Sequence, residues 1–141
     1  MSIWKGEISL EMLNYLNKNT LGEFFEIEFI EIGDNYLKAS MPVTNKTKQP
    51  FGLLHGGASV ALAETVGSVA SWCAINRELF IGVGVEISAT HIKSVTKGKI
   101  TATCKAIKST GKMHVWQIEL HNEDYELCTV SRFTCMIVPK P

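Results

Sequence analysis

The run from Gln49 to Trp72, QPFGLLHGGASVALAETVGSVASW, limits the possible folds more than any other part of the chain. It reads as a tight turn feeding one long helix, from about Gly56 to Ile75, built mainly of alanine, valine, serine and glycine. A helix that is apolar on every side belongs inside a protein. Glu64 is the only charge before Arg77. An ionised carboxylate in such a setting costs several kcal/mol unless it is partnered. Its helical neighbours at three and four residues are Val60, Ala61, Gly67 and Ser68, so no cation lies one turn away. Glu64 is therefore either a buried carboxylate satisfied by main-chain groups or the reason the helix exists.

The sequence around this helix is rich in strand signals. Ser9 can cap a short helix through Asn17, which Leu21-Gly22 ends. Phe25, Ile27 and Phe29 then alternate with Glu26 and Glu28, and Leu37, Ala39 and Met41 alternate with Lys38 and Ser40 across a Gly33-Asp34-Asn35 turn. Pro42 to Pro50 is a polar connection. After the helix come Ile81–Ser94, Lys99–Lys108, Met113–Leu120 and Leu127–Val138, separated by short turn segments. The expected order is α-β-β-α-β-β-β-β in one domain covering residues 1–141, with the later strands antiparallel. A sheet of this kind needs its apolar face covered, and the long helix is the natural cover.

Charge and cysteine usage exclude several classes. Lys+Arg and Asp+Glu both number 14, so a general nucleic-acid binder is not expected. The charge is uneven, with no acidic residue between His91 and Ile118 and lysines at 93, 97, 99, 105, 108 and 112. That stretch is either ordinary solvated strand faces or a footprint for a phosphorylated ligand. Cys73, Cys104, Cys128 and Cys135 lack metal-ligand or CxxC spacing and suit free thiols in a reducing compartment. Glu7 and Glu11 interrupt any secretory h-region, and Glu64 argues against a membrane span for the run from Leu53 to Ile75. A cytoplasmic protein without membrane partners is expected.

TKQPFGLLHGGASVALAETVGSVA, with WQIEL and the closing LCTVSRFT, resembles the small hotdog acyl-CoA thioesterases. The similarity spans nearly the whole chain and is greatest to the 1,4-dihydroxy-2-naphthoyl-CoA and 4-hydroxybenzoyl-CoA thioesterase branch. It implies an α+β hotdog fold, an antiparallel sheet wrapped around one central helix, and a dimer of such domains often paired into a tetramer. It also implies hydrolysis of an aryl- or medium-chain acyl-CoA, with menaquinone biosynthesis as the implied setting. No metal or cofactor is expected, because coenzyme A enters as part of the substrate. In the family the carboxylate matching Glu64 is the nucleophile or general base, and the position of Ser68 helps place it or the water. Segments matching His91-Ile92-Lys93-Ser94 and Ser109-Thr110-Gly111-Lys112 hold the nucleotide, and both are expected to adjoin here. Lys93 and Lys112 stand where the family commonly has arginine.

The residues themselves support this chemistry. Gly56 opens the helix, where unpaired N–H groups and the dipole favour negative charge. With no side chain it allows close approach of a substrate carbonyl, although a Gly56-Gly57 pair also suits a tight turn. Gln49 offers an uncharged second donor for an oxyanion. His55 either orients Gln49 or the thioester, or simply caps the helix. Ser68 shares a face with Glu64, or bonds a helix carbonyl. Gly56 and Glu64 are eight residues apart, about 12 Å along a helix, too far to serve one carbonyl together. Two antiparallel copies remove the difficulty, which predicts a two-fold dimer with composite sites. No G-x-S-x-G surrounds Ser59 or Ser68, and no H-E-x-x-H is present. The competing readings are a non-catalytic acyl-CoA sensor and a proofreading thioesterase acting on an acyl-carrier protein.

Overall fold

The computed structural model describes residues 1–141. Near the N-terminus, α1 (Leu10–Leu16) starts at Ser9, whose hydroxyl accepts the Met12 N–H at 3.1 Å. Leu21-Gly22 does not simply end this helix. Thr20 caps a second short one, α2 (Leu21–Phe24), by accepting the Gly22 N–H. Strand β1 (Glu28–Ile32) therefore begins later than the Phe25–Phe29 alternation suggests, because Phe25 closes α2 and Glu26 takes a left-handed backbone at φ 59. Ile27 and Phe29 still point into the core.

The other strands are β2 (Tyr36–Pro42), β3 (Phe80–His91), β4 (Lys99–Lys108), β5 (Met113–His121) and β6 (Leu127–Pro139). Together with β1 they form one antiparallel six-stranded sheet in the order β1-β2-β4-β5-β6-β3. The segment after β3 is thus not a hairpin into β4, as its short turn suggests. Residues 92–98 instead form a crossover from the edge strand to the interior strand β4, and β3 pairs with β6 at the edge, with Phe80 opposite Pro139 and His91 opposite Thr129. The outer side of β3 has no neighbour, and Phe80, Val83 and Val85 lie exposed along it. A long unpaired edge carrying apolar side chains is a surface that natural proteins normally cover.

The long helix α3 (Gly56–Cys73) lies across the concave face of the sheet. Its small residues admit the strands closely: a Cβ on Gly67 would stand 2.5 Å from the Phe133 ring. Ala58, Ser59, Leu62, Ala63, Val66, Gly67, Ala70 and Ser71 form the buried stripe. The opposite stripe, including Val60, Ala61, Glu64 and Ser68, stays partly or fully open in the protomer. The helix is therefore apolar all round yet buried on one side only. No helix is long and apolar enough to cross a membrane.

Ser71 ties the helix to the sheet through polar contacts in a dry interior. Its hydroxyl accepts the indole N–H of Trp116 at 2.8 Å and lies 3.2 Å from Nδ1 of His114. Trp4 stacks on Trp116 from the N-terminal segment, with ring centroids 6.2 Å apart. Burial, with a smaller contribution from Lys108, pushes the His114 imidazole below its ordinary range. Ser71→Ala would leave the Trp116 N–H with no acceptor, and urea denaturation should report a loss of about 1–3 kcal/mol.

Candidate active site

A compact turn builds the N-terminal end of α3. Leu54 N–H bonds the Val95 carbonyl, and His55 N–H bonds that of Thr47, both at 2.7 Å. Thr47 is itself buried and bonded to Pro42 and Thr44, which anchors the turn to the sheet. His55 is the N-cap: its Nδ1 accepts the Gly57 N–H at 2.8 Å. No hydrogen bond joins it to Gln49, so capping is the role the geometry displays. Ala58 and Ser59 both bond the His55 carbonyl. Among the first amides of the helix, that of Gly56 alone has no acceptor.

Gln49 and Gly56 line the same cavity of about 230 Å³. The Gln49 side-chain oxygen accepts the Phe51 N–H at 2.5 Å and the Leu53 N–H at 3.3 Å. With its oxygen committed to the turn, its NH₂ end is left to donate. The pair of donors matches what a developing oxyanion requires.

The same cavity is lined by His91, Lys93, Ser94, Cys128 and Thr129. A Cβ on Gly56 would stand 2.9 Å from Nε2 of His91, so the space left by the missing side chain holds an imidazole at its edge. Lys93 pairs with Glu126 at 3.0 Å, both side chains about half exposed. Burial raises the Cys128 thiol above its ordinary range, which keeps it protonated and unsuited to be the attacking group.

Glu64 lies two turns further along α3, about 12 Å from Gly56 by helical rise. It has neither an ion-pair nor a hydrogen-bond partner in the protomer. Its Oε1 would be 3.1 Å from a Cβ on Gly84, which puts the carboxylate against the edge strand β3. Ser68 is exposed on the same side, and its hydroxyl bonds no helix carbonyl; Thr65 makes that bond instead, to Ala61 at 2.6 Å.

Within one protomer the two segments expected to adjoin as a nucleotide site stand apart. His91–Ser94 follows the end of β3 beside the start of α3. Ser109–Lys112 forms the β4–β5 turn at the other end of β3, where it lines a separate cavity of about 470 Å³ with Lys5, Asn76 and Phe80. Eleven steps of an extended strand, roughly 36 Å, lie between the two ends of β3. Strand order separates them in the protomer: once β3 pairs with β6, its two ends lie beside different turns. Thr129 and Cys128 carry no local signal as site residues, since only the β3–β6 register brings them to His91.

The thioesterase superfamily model matches residues 51–129. The chain is 46% identical over 136 residues to 1,4-dihydroxy-2-naphthoyl-CoA hydrolase from Escherichia coli, covering 96% of this chain and 99% of that protein. It is 41% identical over 136 residues to the proofreading thioesterase EntH from Cronobacter turicensis, covering 96% and 98%. The crystal structure of a mutant of thioesterase PA1618 from Pseudomonas aeruginosa superposes with a TM-score of 0.97 at 41% identity, covering 99% of this chain and 100% of that one.

Proposed function

The chain belongs to the thioesterase superfamily, with its hotdog fold, and is a thioester hydrolase; we propose that its substrate is an aryl-CoA of the 1,4-dihydroxy-2-naphthoyl kind. The enzymatic character of these relatives sets aside a purely sensory role. The observation that carries the mechanism is the unbonded Gly56 amide opposite an anchored Gln49. These two donors receive the charge that forms on the carbonyl oxygen when a carboxylate, or water activated by it, attacks the carbon. Collapse of the tetrahedral species breaks the C–S bond: where water attacked, the thiolate takes up the proton that the carboxylate removed from it, and where the carboxylate attacked, water then hydrolyses the mixed anhydride to the free acid and supplies that proton.

Glu64 is the attacking group or base, supplied by a second copy. Support comes from the 12 Å offset along α3, from the partnerless carboxylate, and from the bare edge of β3 beside it. A two-fold axis near the middle of β3 lets two such edges pair antiparallel, covers Val83 and Val85, and carries each Glu64 toward the other chain's Gly56. The same axis brings Ser109–Lys112 of one copy toward His91–Ser94 of the other. Coenzyme A phosphates would meet Lys93 and Lys112 there as point charges. Further pairing of dimers into a tetramer is compatible with this geometry.

Similarity to a proofreading thioesterase favours a second reading, in which the acyl group is carried by a carrier protein. Thiol release from 1,4-dihydroxy-2-naphthoyl-CoA, benzoyl-CoA, octanoyl-CoA and a benzoyl-loaded aryl carrier protein separates the two. The aryl-CoAs should exceed octanoyl-CoA in kcat/KM by about tenfold or more, the discrimination a shaped apolar pocket can give. Preference for the loaded carrier over every CoA ester would replace the proposal by the second reading.

A further inference from the structure

We infer that Thr129 is a positioning residue that fixes the His91 imidazole as an N–H donor beside the Gly56 amide. The inference rests on reading the cavity at the start of α3 as the thioester site, and it gives His91 a place at the reacting group beyond the nucleotide contact expected from the sequence.

Thr129 and His91 are cross-strand partners in the β6–β3 ladder. The Thr129 hydroxyl lies 3.1 Å from Nδ1 of His91 and has no other hydrogen-bond partner. Thr129 is only 2% exposed, so its hydroxyl has little access to water as a substitute partner. These facts set the direction of the bond. If Nδ1 carried the proton and donated it, the hydroxyl hydrogen would be left buried without an acceptor, which is costly. If the hydroxyl donates to Nδ1, every buried hydrogen of the pair is used. The neutral ring then carries its proton on Nε2. Nε2 is also the ring atom nearest Gly56, 2.9 Å from the position a Cβ would take there. The ring nitrogen that Thr129 leaves protonated is thus the one directed at the helix start. Gly56, Gln49 and His91, each with an N–H to offer, line one cavity. The tautomer of a histidine is commonly set by the bond its other nitrogen makes.

The test combines a spectroscopic and a kinetic measurement. Nitrogen-15 spectra of the imidazoles in the substrate-free protein, with His91 assigned through His91→Ala, should show the proton on Nε2. Thr129→Val should abolish the single tautomer and lower kcat for the best aryl-CoA roughly tenfold, with KM within about twofold, the signature of a bond that matters in the transition state. Thr129→Ser, which keeps the hydroxyl, should restore both. In a His91→Ala background Thr129→Val should add no further loss. A proton on Nδ1 in the unaltered protein would overturn the inference, as would unchanged kinetics in Thr129→Val or failure of Thr129→Ser to restore them. Should Thr129→Val not fold, the tautomer of the unaltered protein and the behaviour of Thr129→Ser decide. Absence of thioester cleavage by the unaltered protein would count against the site's reading, while the nitrogen spectra would still report on Thr129.

Discussion

Equal mixing of unfolded Glu64→Ala and Gln49→Ala chains, followed by refolding, should return about a quarter of the unaltered turnover, although neither variant works alone. The figure follows from a two-fold dimer in which each site takes its carboxylate from one chain and its oxyanion donors from the other. Random pairing makes half the dimers mixed. In each mixed dimer one site carries both defects and the other carries neither. A site built within a single chain can never be repaired this way, because every chain brings its own defect. Activity that stays at the level of the separate variants, with mixed dimers demonstrated by mass spectrometry, would remove the shared-site proposal. The reason to expect sharing lies in the protomer: the Gly56 amide and the Glu64 carboxylate occupy one helix but stand too far apart for one carbonyl.

Glu64→Gln should lower kcat by about 10²–10⁴-fold, the range typical for loss of a positioned acid–base group, while KM changes little. The substitution keeps the side chain's shape and removes its charge. Stability should be unaffected or improved, since the carboxylate has no hydrogen bond or ion pair to lose in the protomer, and a charge against an apolar helix face is itself unfavourable. Thiol release and a thermal melt on the same preparation measure both effects. Turnover within tenfold of the unaltered enzyme would exclude Glu64 from the chemistry. A large fall in melting temperature would instead identify it as a structural carboxylate.

The sequence made α3, its cap region and the strand segments readable, because each is written in local terms. His55-Gly56-Gly57 marks the helix start, and alternation marks β2, β4 and β5. What escaped is written across distance. Nothing within residues 92–98 announces that β3 travels to the far edge to join β6 and not β4. Without that pairing, the sequence does not tell that the His91 and Ser109 segments lie at opposite ends of β3 within one protomer, and Thr129 reads as an ordinary strand residue. α2 is hidden in the sequence because its cap, Thr20, directly follows the turn that ends α1. The role of Ser71 was equally hidden, since its partners Trp116 and His114 lie on β5, more than forty residues away. The Gln49 donor could be named from its residue type, but the aim of its amide could not, because main-chain groups of the following turn hold it.

That turn has a kinetic meaning. A glutamine on a free surface samples many rotamers, and a substrate would have to wait for, and then freeze, the useful one. Here Phe51 and Leu53 hold the carboxamide before any ligand arrives, so folding of the chain has already done the ordering that each catalytic cycle would otherwise repeat. The empty enzyme and the working one need differ little at this point, and the time per turnover is left to attack, bond cleavage and escape of the two products.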